Sequence, residues 1–149
     1  MACMTASLAR GDTVTKPTLI KKENPEILPS YPLSQAQQKI LEGMRAAAKT
    51  GTARLAEVEG VDFPIAAKTG TAQVVSRGVN LTLAWFIGFA PVDNPQVAVA
   101  VVVEGTTPDD EYAGGTTAAP IARNFFEKWL EINEPNDPIP LGTPEGLEP

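Results

Sequence analysis

Residues 81–90, LTLAWFIGFA, form a run that is apolar at nearly every position. The run lacks the alternation of a half-exposed strand and is typical of a central strand that is covered on both faces. A strand is predicted on each side of it in the chain, over about 64–76 and over Gln96–Glu104. Because the connection at residues 91–95 (PVDNP) is too short for a helical crossover, the third strand must return antiparallel. The sequence therefore predicts a three-stranded antiparallel meander.

A helix is predicted ahead of this sheet. Ser34 and Gln37 have the spacing of a reciprocal N-terminal cap, and apolar residues at helical spacing follow them. These signals predict a helix over about 35–49. Its predicted apolar face consists of Ile40, Leu41, Met44 and Ala48.

A second helix is predicted after the sheet. It begins near Thr117, and its apolar residues recur at helical spacing, so they form a broad stripe that must lie against the sheet. The first nine residues have the character of a helix end, which Gly11 closes. The predicted fold class is therefore α+β, with an antiparallel sheet packed against N- and C-terminal helices. The predicted stripe of the last helix consists of Ile121, Phe125 and Trp129, widened by Ala122, Phe126 and Leu130.

One domain is expected over residues 1–132, since 149 residues with a hydrophobic fraction of 43% are enough for a single core. Residues 133–149 are rich in proline, glycine and acidic side chains. Their apolar surface is too small to offset the entropy lost on ordering, so we expect a disordered tail. The charge run Asp109-Asp110-Glu111 is expected to be solvated surface.

Composition excludes several classes of function. The net charge of −6 and the lack of a large basic cluster argue against a nucleic-acid partner. The chain has no histidine and a single cysteine, Cys3, so no zinc site or internal disulfide is expected and the chemistry should need no cofactor. We expect Cys3 to be a buried thiol in a helix. No segment approaches the roughly 20 apolar residues needed to cross a bilayer.

Lys68-Thr69-Gly70-Thr71 is the motif with the most chemical content. In a strand it places an ammonium, two hydroxyls and a bare backbone along one edge, which suits an anion-binding cleft. Gly70 would let a ligand approach the backbone closely. A nucleotide-binding P-loop is excluded, because no glycine directly precedes Lys68. The motif therefore favours recognition of an anionic acyl donor.

The same four residue types occur earlier, at Lys49-Thr50-Gly51-Thr52. This copy follows an alanine-rich helix, so Gly51 is interpreted as the helix terminator and Lys49 as a cation at the negative end of the helix dipole. The second copy lies in a β-prone context. We therefore interpret the second copy, and not the first, as the chemical one.

Four segments occur in a fixed order: residues 68–73 (KTGTAQ), 84–91 (AWFIGFAP), 99–104 (VAVVVE) and 114–122, where GG is followed by AAPIA. Together they resemble the C-terminal part of the transpeptidase domain of class B penicillin-binding proteins. The resemblance extends from Met1 to about Glu131. Residues 51–53 (GTA) resemble the turn that this family carries before its active-site strand, and this turn with the AAKTGTAQ string favours an elongation-type member.

The resemblance implies a parent D,D-transpeptidase that cross-links peptidoglycan stem peptides through an acyl-serine and is acylated by β-lactams. It implies that Lys68 assists electrostatically and in proton transfer, and that the Thr69 and Thr71 hydroxyls bind the substrate or β-lactam carboxylate. The Thr71 backbone N–H would form half of the oxyanion hole, and Gly70 would keep the strand bare. Lys68 and Thr71 are thus the candidate catalytic residues, without a metal or cofactor.

The Ser-x-x-Lys segment of that family is not found here, because none of the four serines has a lysine three positions later. We therefore expect this chain alone to be inactive and to need the preceding part of the same domain as its partner. The resemblance places the parent at the periplasmic face of the cell membrane. The chain itself shows no signal or anchor and would be cytoplasmic if expressed alone.

Two other functions stay open from the sequence. The chain could be a non-catalytic binding or interaction module that keeps the sheet for a partner. It could also be a relative of the serine β-lactamases, which share the Lys-Thr-Gly strand but match the AWFIGFAP segment less well.

Overall fold

The structure, a computed structural model, describes residues 1–11, 14–20, 26–28, 34–76, 78–107 and 111–133. Its helices are α1 (Ala2–Arg10), α2 (Gln35–Lys49) and α3 (Ala119–Asn133). A 3-10 turn (Arg54–Ala56) follows α2, and a π-helical turn (Gly114–Ala118) leads into α3. The strands are β1 (Val14–Thr15), β2 (Ile27–Leu28), β3 (Ala66–Ser76), β4 (Val79–Ala90) and β5 (Val97–Glu104).

The main sheet is the predicted antiparallel meander, with the strand order β3-β4-β5. Its central strand is β4, as its continuous apolar run predicted. Gly78, with a φ of 81°, lies in the tight turn between β3 and β4. The register places Gly70 opposite Trp85, and β1 and β2 form a separate two-stranded ladder. The α+β fold class is confirmed.

The two faces of the sheet are covered by different helices. Side chains alternate across a strand, so Phe86 and Phe89 of β4 point to opposite faces. Phe86 belongs to a core with Phe126 of α3, and both side chains are fully buried. Phe89 packs with Met44 of α2 on the other face. The Phe126 ring also meets Phe63 edge to face, with the centroids 5.9 Å apart.

Helix α2 has the predicted bounds and the predicted cap. The Ser34 hydroxyl accepts a hydrogen bond from the Gln37 backbone N–H at 3.3 Å, and the Gln37 side chain accepts one from the Ser34 N–H at 2.6 Å. Met44 and Ala48 are buried as predicted, but Ile40 is 53% exposed. Ile40 was wrongly placed on the buried face, because it lies at the margin of the arc that contacts the sheet.

Four of the six residues predicted for the stripe of α3 contact the core, because Trp129 and Leu130 pack against it beside the buried Ala122 and Phe126. Ala122 and Phe126 are fully buried, whereas Ile121 and Phe125 are 46% and 42% exposed. The helix therefore turns the row that contains Ala119, Ala122 and Phe126 toward the core. On the solvent side, Arg123 donates to Glu127 at 2.7 Å, and this hydrogen bond raises the pKa of Arg123.

Three further expectations concern the ends and loops of the chain. Cys3 lies in α1 but is exposed, so the prediction of a buried thiol is wrong; α1 buries Thr5 instead, about 200° around the helix. Asn133, where the tail was expected to begin, is the last residue of α3. Residues 134–149, Asp109 and Asp110 lie outside the described residues, and Glu111 is exposed. Within the described ranges, no helix has the length and apolar character to span a membrane.

Candidate active site

A groove of about 490 Å³ lies along β3. In the part of the chain that the structure describes, β3 pairs only with β4, so its other edge has no neighbouring strand. Three segments line the groove. β3 contributes residues 68–71, the turn after α2 contributes Thr52, Arg54 and Leu55, and the loop before α3 contributes residues 113–116. All four residues of the predicted motif therefore face one concave site.

The motif residues alternate between the two faces of β3. Lys68 and Gly70 point to the face covered by α2, while Thr69 and Thr71 point to the face covered by α3. Lys68 is exposed, and its ammonium donates to the carbonyl oxygen of Thr69. The ammonium and the hydroxyls thus reach the groove from opposite sides of the strand edge, and not side by side.

The two threonines of the motif have different surroundings. Thr69 is only 7% exposed, and its hydroxyl oxygen lies 2.6 Å from that of Thr52. Thr71 is exposed, and its hydroxyl accepts a 3.5 Å hydrogen bond from the backbone N–H of Gly114. The Thr71 hydroxyl is therefore exposed in the groove and keeps its own proton to donate, whereas the Thr69 hydroxyl is buried against Thr52.

Two glycines allow the third segment to approach β3. A Cβ on Gly114 would lie 2.3 Å from the Trp85 carbonyl oxygen and 2.6 Å from that of Gly70. A Cβ on Gly115 would lie 2.4 Å from the carbonyl oxygen of Thr52. Because these neighbours are backbone atoms, they cannot move aside easily. The Gly-Gly pair therefore sets the width of the groove.

Gly70 has no such packing role. A Cβ there would meet only the Cβ of Trp85, at an ordinary distance of 3.7 Å. The fold would accept a small side chain at this position. A glycine at Gly70 is thus better explained by the space that it leaves beside the strand.

In the first copy of the motif, residues 49–52, some residues have a structural role and one lines the groove. Lys49 ends α2, as interpreted, and the Gly51 N–H donates to the carbonyl of Ala47 at 3.1 Å. A Cβ on Gly51 would lie 2.8 Å from the Ala47 Cα, so close packing explains this glycine. Thr52, however, lines the groove and contacts Thr69. The purely structural interpretation of this copy is therefore incomplete.

Sequence reasoning also missed Arg54, which lines the groove and is exposed. The available signal was the Gly-Thr-Ala turn, whose likeness to the turn before an active-site strand places its neighbours near that strand. Among the described residues that line the groove, Lys68 and Arg54 are cationic and none is a carboxylate. The electrostatics of the groove therefore suit an anion.

Comparisons with known proteins agree with this geometry. A family model described as the penicillin binding protein transpeptidase domain matches residues 1–127. The chain is 38% identical over 122 residues to stage V sporulation protein D of Bacillus subtilis (strain 168). The aligned region covers 80% of this chain and 18% of that protein. It is 33% identical over 135 residues to the peptidoglycan D,D-transpeptidase PbpA of Mycobacterium tuberculosis (strain H37Rv). This aligned region covers 85% of this chain and 28% of that protein.

A solved structure gives the same result. Penicillin-binding protein A from M. tuberculosis, in a ceftriaxone acyl-enzyme complex, matches with a TM-score of 0.70 and 32% identity, over 85% of this chain and 30% of that chain. The chain thus spans less than a third of the length of each of these proteins, at 18%, 28% and 30%. The family expected from the four ordered segments is confirmed: this chain belongs to the penicillin-binding-protein transpeptidase domains.

Proposed function

We propose that this chain is the β3-bearing part of a serine-type peptidoglycan D,D-transpeptidase, and that its groove binds the terminal carboxylate of a peptidoglycan stem peptide or a β-lactam. The observation that carries the proposal is the convergence of Lys68, Thr69, Gly70 and Thr71 on a groove in which the lining residues that the structure describes include two cations and no carboxylate. Such a lining attracts an anionic ligand and does not repel it.

The roles follow from exposure and position. The Lys68 ammonium and the Thr71 hydroxyl are exposed in the groove, so they are the donors that a ligand carboxylate reaches first. The Thr71 backbone N–H supplies half of the oxyanion hole, where negative charge develops as the acyl carbon becomes tetrahedral. Lys68 also assists proton transfer. Gly70 leaves the backbone accessible, and Thr69 supports the wall of the site.

The nucleophile comes from a Ser-x-x-Lys segment that these 149 residues do not contain. In acylation, the serine oxygen bonds to the acyl carbon of the ligand while the bond from that carbon to the amide nitrogen breaks, and this nitrogen takes up the proton that the serine hydroxyl gives up. This chain can bind the ligand but cannot form that bond, so it needs the rest of the domain to react. The complete enzyme would act on peptidoglycan at the periplasmic face of the cell membrane.

Non-covalent binding and covalent labelling test the proposal separately. Nα-acetyl-D-alanyl-D-alanine should shift the amide resonances of β3 in a ¹⁵N-labelled sample of this chain. Lys68→Gln should weaken this binding at least about tenfold, since a hydrogen bond to a charged group contributes about 1.5–3 kcal/mol. Lys49→Gln is the matched control, because it removes the same charge from the other copy of the motif and should change nothing.

The labelling arm uses a fluorescent penicillin and a denaturing gel. No covalent band is expected with this chain. A stable band would refute the absence of a nucleophile, and equal effects of the two lysine variants would refute the assignment of the site.

A further inference from the structure

We infer that the turn after α2 is a second recognition wall of the groove, in which Thr52 and Arg54 bind an acidic group of the ligand other than the carboxylate held by β3. This inference rests on the proposed function and extends it to the class of ligand. It predicts a ligand with two separate anionic groups.

Arg54 provides the charge for this wall. Its side chain is exposed and lines the groove, and within the described ranges no carboxylate pairs with it. Other described arginines do have such partners: Arg45 lies 3.7 Å from Asp93, and Arg123 lies 3.5 Å from Glu59. An unneutralised guanidinium in a groove of a chain with a net charge of −6 can offer a bidentate site to an incoming carboxylate.

Thr52 provides a hydroxyl donor. The Thr52 and Thr69 hydroxyls carry one proton each, and a single hydrogen bond of 2.6 Å joins them. Thr69 is 7% exposed, so its hydroxyl proton needs a hydrogen-bond acceptor within the chain. We therefore assign Thr69 as the donor and Thr52 as the acceptor. The proton of the exposed Thr52 is then free to donate into the groove. Thr52 therefore presents to the ligand a hydrogen bond that Thr69 supports from behind.

The wall is held in place before any ligand binds. The Ala53 N–H donates to the Ala47 carbonyl at 3.0 Å, and the Arg54 N–H donates to the Gly51 carbonyl at 3.3 Å. Ala53 and Ala56 are fully buried. Because the backbone of this turn is already fixed, it loses little backbone entropy when a ligand binds, and the ordering cost falls on the exposed Arg54 side chain.

The groove is large enough for two recognition points. Its volume of about 490 Å³ falls within the roughly 300–1,000 Å³ of small-molecule sites, which exceeds the needs of one carboxylate. Lys68 and Arg54 belong to different segments, β3 and the turn after α2. One end group of the ligand is therefore held by the strand, and a second acidic group is held by the turn.

The experiment compares two peptides of equal size. Nα-succinyl-D-alanyl-D-alanine carries a second carboxylate, and Nα-succinamoyl-D-alanyl-D-alanine carries a neutral amide in its place. Binding to the full chain is measured by titration of the β3 amide resonances and of the Arg54 Nε–H. The succinyl peptide should bind about fivefold more tightly, the upper range for a partly exposed ion pair.

Arg54→Gln should remove this preference and leave the affinity for the succinamoyl peptide within about twofold, because only one charge pair is lost. Thr52→Val should reduce the preference, and Thr52→Ser, which keeps the hydroxyl, should restore it. Lys49→Gln, the charge control outside the groove, should leave the preference intact.

The outcomes separate the two proposals. Equal affinities for the two peptides, or an Arg54→Gln variant that weakens both alike, would overturn the second wall and leave the proposed function standing. If Lys68→Gln leaves the affinity for the succinamoyl peptide unchanged, the proposed function is wrong. If neither peptide binds, both proposals fail.

Discussion

The hydroxyl oxygens of Thr52 and Thr69 lie 2.6 Å apart, although the two residues are 17 positions apart in the sequence. This contact joins the turn after α2 to the strand that carries the Lys-Thr-Gly-Thr motif. Because Thr69 is almost fully buried, its hydroxyl depends on Thr52 for its hydrogen bond. The contact therefore belongs to the groove and also stabilises the fold.

A double-mutant cycle measures the coupling free energy between the Thr52 and Thr69 hydroxyls. Thr52→Val should lower the free energy of unfolding by about 1–3 kcal/mol, because it leaves a buried hydroxyl without a partner. Thr69→Val in the Thr52→Val background should cost much less than in the wild-type chain, since the unpaired group is then gone. Urea denaturation followed by circular dichroism gives the four free energies. Additive effects of the two substitutions would show that the hydroxyls are not coupled.

Replacement by alanine should destabilise the chain far more at one of two glycines beside the groove than at the other. Gly114→Ala forces a Cβ against backbone atoms at 2.3 and 2.6 Å, so it should destabilise the chain by about 3 kcal/mol, the upper range for overpacking. Gly70→Ala meets only an ordinary contact and should stay within about 1 kcal/mol of the wild type. Gly70→Ala should nevertheless weaken the binding of Nα-acetyl-D-alanyl-D-alanine. Similar melting curves for both variants would contradict this packing of the loop.

The orientation of α3 can be tested with adjacent phenylalanines. Phe126→Ala removes a fully buried ring and should cost about 3–5 kcal/mol. Phe125→Ala removes a ring that is 42% exposed and should cost clearly less. The measurement is the midpoint of chemical denaturation, compared between variants whose free energy of unfolding depends on denaturant concentration with the same slope. A larger loss for Phe125→Ala would mean that the helix faces the sheet with the row predicted from periodicity.

The cap of α2 makes a prediction that is independent of the groove. Ser34→Ala removes both the acceptor for the Gln37 N–H and the reciprocal geometry, so it should cost about 1 kcal/mol. Gln38→Ala, at an exposed helical position, is the control and should be neutral or slightly stabilising. Unfolding curves that coincide for Ser34→Ala and the wild type would argue against this start of the helix.

Much of the fold could be predicted because its signals are local. The apolar run at residues 81–90 identified the central strand, and Ser34 with Gln37 identified the start of α2. The buried row of α3 could not be chosen in this way, since two adjacent rows are both apolar and only the packing against the sheet decides between them. Likewise, Cys3 could be placed in a helix but not on its exposed side.

The candidate site was predictable where its residues are consecutive and not where they come together through tertiary contacts. Lys68–Thr71 form one strand segment, so the motif itself brings them to one edge. Thr52 joins them through the contact between its hydroxyl and that of Thr69, and Gly115 lets the loop before α3 pack directly on the Thr52 carbonyl. No local pattern in the sequence reports such a contact between distant backbones.

One edge of β3 has no neighbouring strand in the described ranges, and this has a consequence for selectivity. An extended peptide laid along it would be bound mainly by its main-chain amides and carbonyls, which are common to every amino acid. Such pairing is indifferent to the identity of the side chains that project away from the edge. Discrimination among peptides then falls to their end groups and to the charges they carry, so the proposed ligand groove should tolerate varied sequences that share one terminus.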